Sequence, residues 1–492
     1  MAPKLRYLHM DKDDLAWEKS DEEVESWERS LRNSGIHRSI GNLIIKYKPG
    51  EAVKLHSPIR GGYNVVYRLE YSDGTSAALR IPCKVSVKFP EEKVKYEVAT
   101  MRYIAANTTI PVPKIYHYGT AAENPTGLGP FIIMDYIEHD RTMSEALNDP
   151  LLKAEESHVL DANISEQKLK FLYRQMANII LQLSTLSFSH IGSLVQNKDE
   201  TFSVSGRPLI QNMNSLVEFA SVTPSLLPSQ QYCTSSEWYT AMADMHLAQI
   251  VFQHNDAVLD EEDVRDKYVA RQLFRRLASS GKLAFGFNPE QQHYHEPMFR
   301  LYSEDLRPSN VLIDQDLRVV GVIDWEFAYA APAQFSIDPP WWLLLKSPDY
   351  WPDGYDVWME VYEPRLNTFL SVLEEQEEKE RENKQDLSCA KNNMTLPLSQ
   401  LMRKSWQSKT WMINYAARNS WAFDFIFWRY LDCVYFGQNE SGDYQKRLGL
   451  LAKEEIEAME ALVKIKMEEN ANRTLIQWDH DSAVAQIAKI MV

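Results

Sequence analysis

The stretch that decides the reading runs from residue 303 to residue 326, SEDLRPSNVLIDQDLRVVGVIDWE. Inside it, Asn310 to Asp314 and Leu317 to Ile323 are two short apolar runs joined by a Gln315-Asp316 turn, the pattern of a β-hairpin. The residue that opens the first strand of a hairpin and the residue just past the second lie at the same open end. Asn310 and Asp324 are therefore expected side by side. An amide oxygen and a carboxylate converging on one point are hard oxygen ligands, which suit Mg²⁺ held together with nucleotide phosphates.

Asp305 stands just upstream, in Ser303-Glu304-Asp305-Leu306-Arg307-Pro308-Ser309-Asn310. Its spacing to Asn310 matches the D-x-x-x-x-N catalytic loop of kinases, where the Asp accepts the proton of the attacking hydroxyl. Taken singly, each residue reads as an ordinary turn or hairpin-end polar group. Together, and followed by Val322-Ile323-Asp324-Trp325-Glu326, they point to a kinase-like site.

The first half of the chain leads to the same place by periodicity. Val65, Tyr67, Leu69 and Tyr71 alternate, Ser72-Asp73-Gly74-Thr75 turns, and Ala77, Leu79 and Ile81 alternate again, a strong hairpin signal. Glu91 to Ala105 then takes helical spacing through Val94, Val98, Met101 and Ile104, ending before Ile110-Pro111-Val112-Pro113. A rotation of about 100° per residue places Glu97 within that apolar arc. A carboxylate there is costly unless paired. Arg80 leaves its strand on the face opposite Leu79 and Ile81, which makes it the candidate partner. Gly61 and Gly62 precede the hairpin strand and bring backbone N–H groups toward phosphates or simply make a turn, since the full G-x-G-x-x-G is absent. Phe131 to Met134 reads as a buried strand, and the lobe boundary falls just after it. Beyond that point the chain reads as helical, notably over Leu169 to Leu186 and Glu237 to Val251, interrupted only by the hairpin at 310–323. Residues from about Asp11 to Asn33 read as an amphipathic helix.

Composition narrows the function further. At 492 residues the chain exceeds one ordinary core and calls for two lobes or several domains. A net charge of −16 repels nucleic-acid backbones and anionic membrane surfaces, so neither partner is expected and any phosphate site must be local. Four scattered cysteines show neither metal spacing nor a disulfide framework. Residues Met1 to Glu23 are acidic and lack an apolar stretch, which argues against secretory and mitochondrial targeting and leaves a cytoplasmic location as the expectation. The run Glu374 to Asp386 is nearly all charged and reads as a solvated helix end or a disordered excursion.

With those residues quoted, the chain resembles the aminoglycoside phosphotransferase family in its fungal-type branch. The resemblance runs through most of the chain. It rests on Gly62-Tyr63-Asn64-Val65, Ala78-Leu79-Arg80-Ile81-Pro82, Glu97 to Arg102, Ile110 to Pro113, Phe131 to Tyr136, Asp305 to Asn310 and Ile323 to Glu326. It implies an α+β, bilobal, protein kinase-like fold: a helical extension over 1–50, a small β-rich lobe over 51–138, and a large mainly helical lobe over 139–492 carrying the loop 303–326. It also implies ATP and Mg²⁺ as cofactors and a small-molecule acceptor. Asp305 is then the catalytic base, Asn310 and Asp324 the metal ligands, and Arg80 with Glu97 the phosphate-positioning pair. Met134 backs the ATP pocket, and the backbone of Asp135 and Ile137 meets adenine. The chain departs from the family at two points. Arg80 stands where Lys is usual, and Ser303-Glu304-Asp305 replaces His-Gly-Asp, which sets a second carboxylate beside the base. The second departure favours an alternative, a pseudokinase that binds nucleotide or a protein partner. A protein kinase is disfavoured because Asp-Phe-Gly and Ala-Pro-Glu punctuation is missing.

Overall fold

The computed structural model describes residues 11–153, 156–284, 299–385 and 396–492, with the side chains of 383–385 outside that description. The small lobe is built on an antiparallel sheet of β1 (Ala52–Leu55), β2 (Ile59–Arg60), β3 (Asn64–Tyr71), β4 (Ser76–Pro82), β5 (Ile115–Gly119) and β6 (Phe131–Asp135). Its order is β1-β3-β4-β6-β5, with β2 paired to β3. The β3–β4 turn falls on the expected residues, with Gly74 at φ 82°. A Cβ at that φ meets the neighbouring carbonyl, so Gly74→Ala is expected to cost about 1–2 kcal/mol in denaturant unfolding.

Helices α1 (Asp14–Leu31) and α2 (Ser34–Tyr47) precede the sheet. Val24, Trp27, Leu31, Ile40, Leu43 and Ile44 form one core with Val65, Tyr67, Leu69, Leu79 and Ile133. The extension is thus packed into the small lobe, because its apolar stripe covers the sheet face that would otherwise be wet. Helix α3 (Pro90–Asn107) lies on the sheet and buries Lys93 and Glu97 along with its apolar residues.

The large lobe contains α4 (Met143–Leu147), α5 (Glu166–Ser184), α6 (Gln211–Phe219), α7 (Ser235–Phe252) and α8 (Glu261–Ser279), followed by the helical C-terminal half that includes Gly354–Gln385. It holds more strand than the helical reading allowed. Beside the 310–323 hairpin lie a pair Ser193–Gln196 with Phe202–Gly206 and a three-stranded sheet of Ser187–Phe188, Phe299–Ser303 and Ala328–Pro332. These strands are two to five residues long, too short to show alternation in sequence. The last of them bracket the decisive loop on both sides and fix its ends. Of the charged run, residues through Gln385 continue the helix begun at Gly354; Asp386 and the irregular stretch to Asn393 fall outside the described residues. No described helix is long and apolar enough to cross a membrane.

Candidate active site

The expected hairpin pairs Val311 with Val322, and the N–H of Ile323 donates to the carbonyl of Asn310 at 2.9 Å. Asn310 and Asp324 accordingly stand at one open end. The Asn310 amide donates from Nδ2 to both the carbonyl and Oδ2 of Asp305, each at 2.8 Å. That leaves its Oδ1 as the atom pointing away from the base. Arg307 holds the other carboxylate oxygen of Asp305 through Nε at 2.9 Å. Asp305 is pushed up to about 6, first by burial and then by Asp324, against the pull of Arg307, Asn310 and Arg80.

Asp324 adopts φ 66°, a left-handed conformation that Asp tolerates better than most residues. The turn sends its side chain to the small lobe, while Trp325 packs inward and anchors the corner through Nε1 to the Val322 carbonyl at 3.1 Å. Arg80 meets it there. The guanidinium pairs with Glu97 at 2.6 Å, with Asp324, and with Glu326 at 3.3 Å. The predicted pair of Arg80 and Glu97 is therefore one edge of a larger cluster. Lys93 also pairs with Glu326 and donates to Asn64 Oδ1 at 2.7 Å, and Asn64 Nδ2 donates to Glu326 at 3.1 Å.

Arg80, Lys93, Glu97 and Glu326 are all at most 5% exposed. Two cations face three carboxylates, so the cluster carries one negative charge too many. Two ways exist to balance it. Glu326 is pushed up to about 7 by burial and by Asp324, which favours a proton there. Asp324 is held below its ordinary range: burial opposes its charge, but Arg80 and Lys93 overcome it. Its side chain is 25% exposed toward the cleft, where a cation would complete the count. Asn310 Oδ1 and the Asp324 carboxylate are hard oxygen donors suited to Mg²⁺. On charge and donor chemistry, the residues fit the metal.

A cleft of about 1210 Å³ runs between the lobes, and Arg80, Asp305 and Asp324 line it together with Gly61, Gly62, Met134, Asp135 and Ile137. Neither glycine has a positive φ, and a Cβ on Gly62 would meet nothing within 4 Å. The fold does not require glycine at 62, and its bareness leaves the backbone open to close approach. Glu97 lies behind the cleft wall. The Asp135 N–H is committed to the Lys114 carbonyl at 2.9 Å, and the Ile137 carbonyl accepts from His139 at 2.8 Å when that ring nitrogen carries the proton. At the other end a smaller cavity of about 100 Å³ opens beneath the loop, walled by Ser303, Glu304, Trp341, Trp358 and Trp411 among others.

Glu304 does not stand free beside the base. It is half-buried, accepts the Gln211 N–H at 2.7 Å, and is pushed up to about 7, by desolvation first, with Arg418 and Gln211 opposing. A carboxyl raised in the folded state stabilises it fully below about pH 4.5, and that contribution is lost as pH rises through about 7. Wild-type stability is therefore expected to fall between pH 5 and 8 by up to about 3 kcal/mol from this group. Glu304→Gln should flatten that slope in chemical unfolding at stepped pH.

The family model for the phosphotransferase enzyme family matches residues 56–354, more than half of the chain. The chain belongs to the phosphotransferase enzyme family. Its curated relatives include yeast proteins named "Altered inheritance of mitochondria protein 9, mitochondrial". That of Debaryomyces hansenii is 29% identical over 333 residues, covering 61% of this chain and 50% of the relative. That of Clavispora lusitaniae is 26% identical over 330 residues, covering 62% and 52%. This phosphotransferase-family chain thus spans about half the length of the curated relatives it matches. Among solved structures it is similar to a thermostable aminoglycoside phosphotransferase in ternary complex with AMP-PNP and hygromycin B, at 14% identity and TM-score 0.39, covering 92% of this chain and 98% of that one. The relatives' names overturn the cytoplasmic expectation, since they are named as mitochondrial proteins. Organelle addresses are read by receptors from targeting segments; the acidity of residues 1–23 was the wrong quantity to read.

Sequence reasoning missed Lys93, Asn64 and Glu326. Lys93 left a trace, because it lies four residues before Glu97 and so shares its buried helix face.

Proposed function

We propose that this chain transfers the terminal phosphoryl group of ATP, bound with Mg²⁺, to a hydroxyl of a small molecule. The observation that carries the reading is the convergence of Asp305, from the loop before the hairpin, and of Asn310 and Asp324, from the hairpin's open end, with Arg80 from the opposite lobe. In this reading Asp305 takes the proton of the attacking hydroxyl as the new P–O bond forms and the bond to ADP breaks. Arg307 and Asn310 hold the carboxylate oxygens so that the base does not rotate away. Arg80, steadied by Glu97, places positive charge beside the phosphates, and Gly61 with Gly62 lets the backbone approach them. Met134 backs the adenine, with Asp135 and Ile137 at its edge. The metal, when bound through Asn310 and Asp324, neutralises charge on the phosphate oxygens.

A second reading has its own support. The Arg80 guanidinium already pairs with Asp324, so a pseudokinase that keeps this pair closed would bind nucleotide weakly or not at all. Thermal shift separates the two. ATP with Mg²⁺ is expected to raise Tm, ATP without Mg²⁺ to raise it less, and Asp324→Asn to lose the metal-dependent part. At saturating ligand, about 100 times Kd, the stabilisation is about 2.7 kcal/mol. A wild-type Tm unmoved by ATP and Mg²⁺ would sink the ATP-site reading.

By likeness to its relatives we also place the protein in mitochondria, a reading checked by fractionation of cells expressing the full-length protein.

A further inference from the structure

Glu304 departs from the family pattern, and the reaction proposed above gives its carboxylate no direct task. Its position in the fold does. The N–H it accepts, at 2.7 Å, belongs to Gln211, the first residue of α6. The N-cap of that helix is Ile210, which contributes no side-chain hydrogen bond. The N–H groups of a first helical turn need acceptors, and a carboxylate there also meets the positive end of the helix dipole. Glu304 caps α6 from 93 residues further along the chain.

The same helix is fastened to the small lobe. Asn214, 1% exposed, accepts the Lys88 N–H at 2.8 Å and donates to the Ser86 carbonyl at 2.8 Å. Those residues lead directly into α3, which carries Lys93 and Glu97. Gln211 reaches the Tyr63 hydroxyl at 3.2 Å, and the Tyr63 ring meets Phe327 edge-on at 5.5 Å, just past Asp324 and Glu326. Helix α6 is thus a strut with one end on the loop of Asp305 and its flank on the segment that aims the small-lobe cluster.

We propose that Glu304 is a positioning residue that, by capping α6, sets the closure of the small lobe over Asp305 and so aligns Arg80 and Glu97 with the base. The inference rests on the kinase reading for its catalytic consequence, but not for its structural one. The hydrogen bond to Gln211 carries the effect, so a side chain that accepts at the same reach preserves it.

Amide hydrogen exchange and ADP-release kinetics on the full chain test this with E304A, E304Q and E304D. In E304A, exchange is expected to rise about tenfold at residues 211–213 and, together with them, at Val87 and Lys88. The KM for ATP should rise more than kcat falls. E304Q keeps the acceptor and should match wild type in both measurements. E304D keeps the charge but shortens the reach, so it should behave like E304A, and it serves in place of E304A if that variant does not fold. Faster exchange at 211–213 with Val87 and Lys88 unchanged would reduce Glu304 to a local cap and overturn the proposal. So would an E304Q as impaired as E304A. A wild type that releases no ADP would count against the kinase reading alone, because the exchange arm still reports whether Glu304 ties the lobes.

Discussion

Asp305→Asn is expected to lower phosphoryl transfer about 10²–10⁴-fold while leaving the Mg²⁺-dependent thermal shift by ATP in place. The substitution keeps the shape and an oxygen for Asn310 to donate to, but removes the group that accepts the hydroxyl proton. With the carboxyl at about 6, the wild-type base is mostly ionised at neutral pH. Activity should therefore fall as pH drops through about 6, with the sign of a group that must be deprotonated to work. The measurement is ADP release with whichever hydroxyl compound a screen identifies, across pH 5 to 8. An Asp305→Asn enzyme of wild-type rate would remove Asp305 from the chemistry.

Arg80→Met should have the largest effect on stability. Arg80 is 5% exposed and faces Glu97, Asp324 and Glu326. Removing it leaves Lys93, among the described residues, as the basic side chain paired with Glu97 and Glu326. Breaking a buried pair by deleting one partner costs about 3–5 kcal/mol, because the remaining charge stays desolvated. Urea unfolding should show a lower midpoint at unchanged slope, the signature of altered stability rather than altered compactness. The double variant Arg80→Met/Glu97→Gln should recover part of the loss, since it also removes a carboxylate that Arg80 balanced. A single variant within about 0.5 kcal/mol of wild type would mean that water reaches the cluster and screens it.

Much of this site was legible before any coordinates. The hairpin geometry alone places Asn310 beside Asp324, because strand pairing fixes which ends meet. The helical period alone puts Glu97 on a buried face, and the strand alternation alone turns Arg80 toward it. These are local rules acting within one element or between neighbours in sequence, and they held. The place of the lobe boundary was read from the same patterns, while the fold class came from the family resemblance that these residues carry.

Other features lie outside such rules. Glu326 and Lys93 are more than 200 positions apart, and their pairing depends on how one lobe docks on the other. The short strands around the loop were invisible because two to five residues cannot display a period. Glu304 shows the difference most clearly. In sequence it is a second negative charge beside the base; in the fold it is the cap of a helix 93 residues earlier in the chain. What the sequence determined by itself is which residues face inward and which ends of a hairpin coincide, because backbone periodicity dictates both. What only the tertiary structure decided is which buried charges meet and which helix end lacks its own cap, because a desolvated polar group takes whatever partner packing brings within reach.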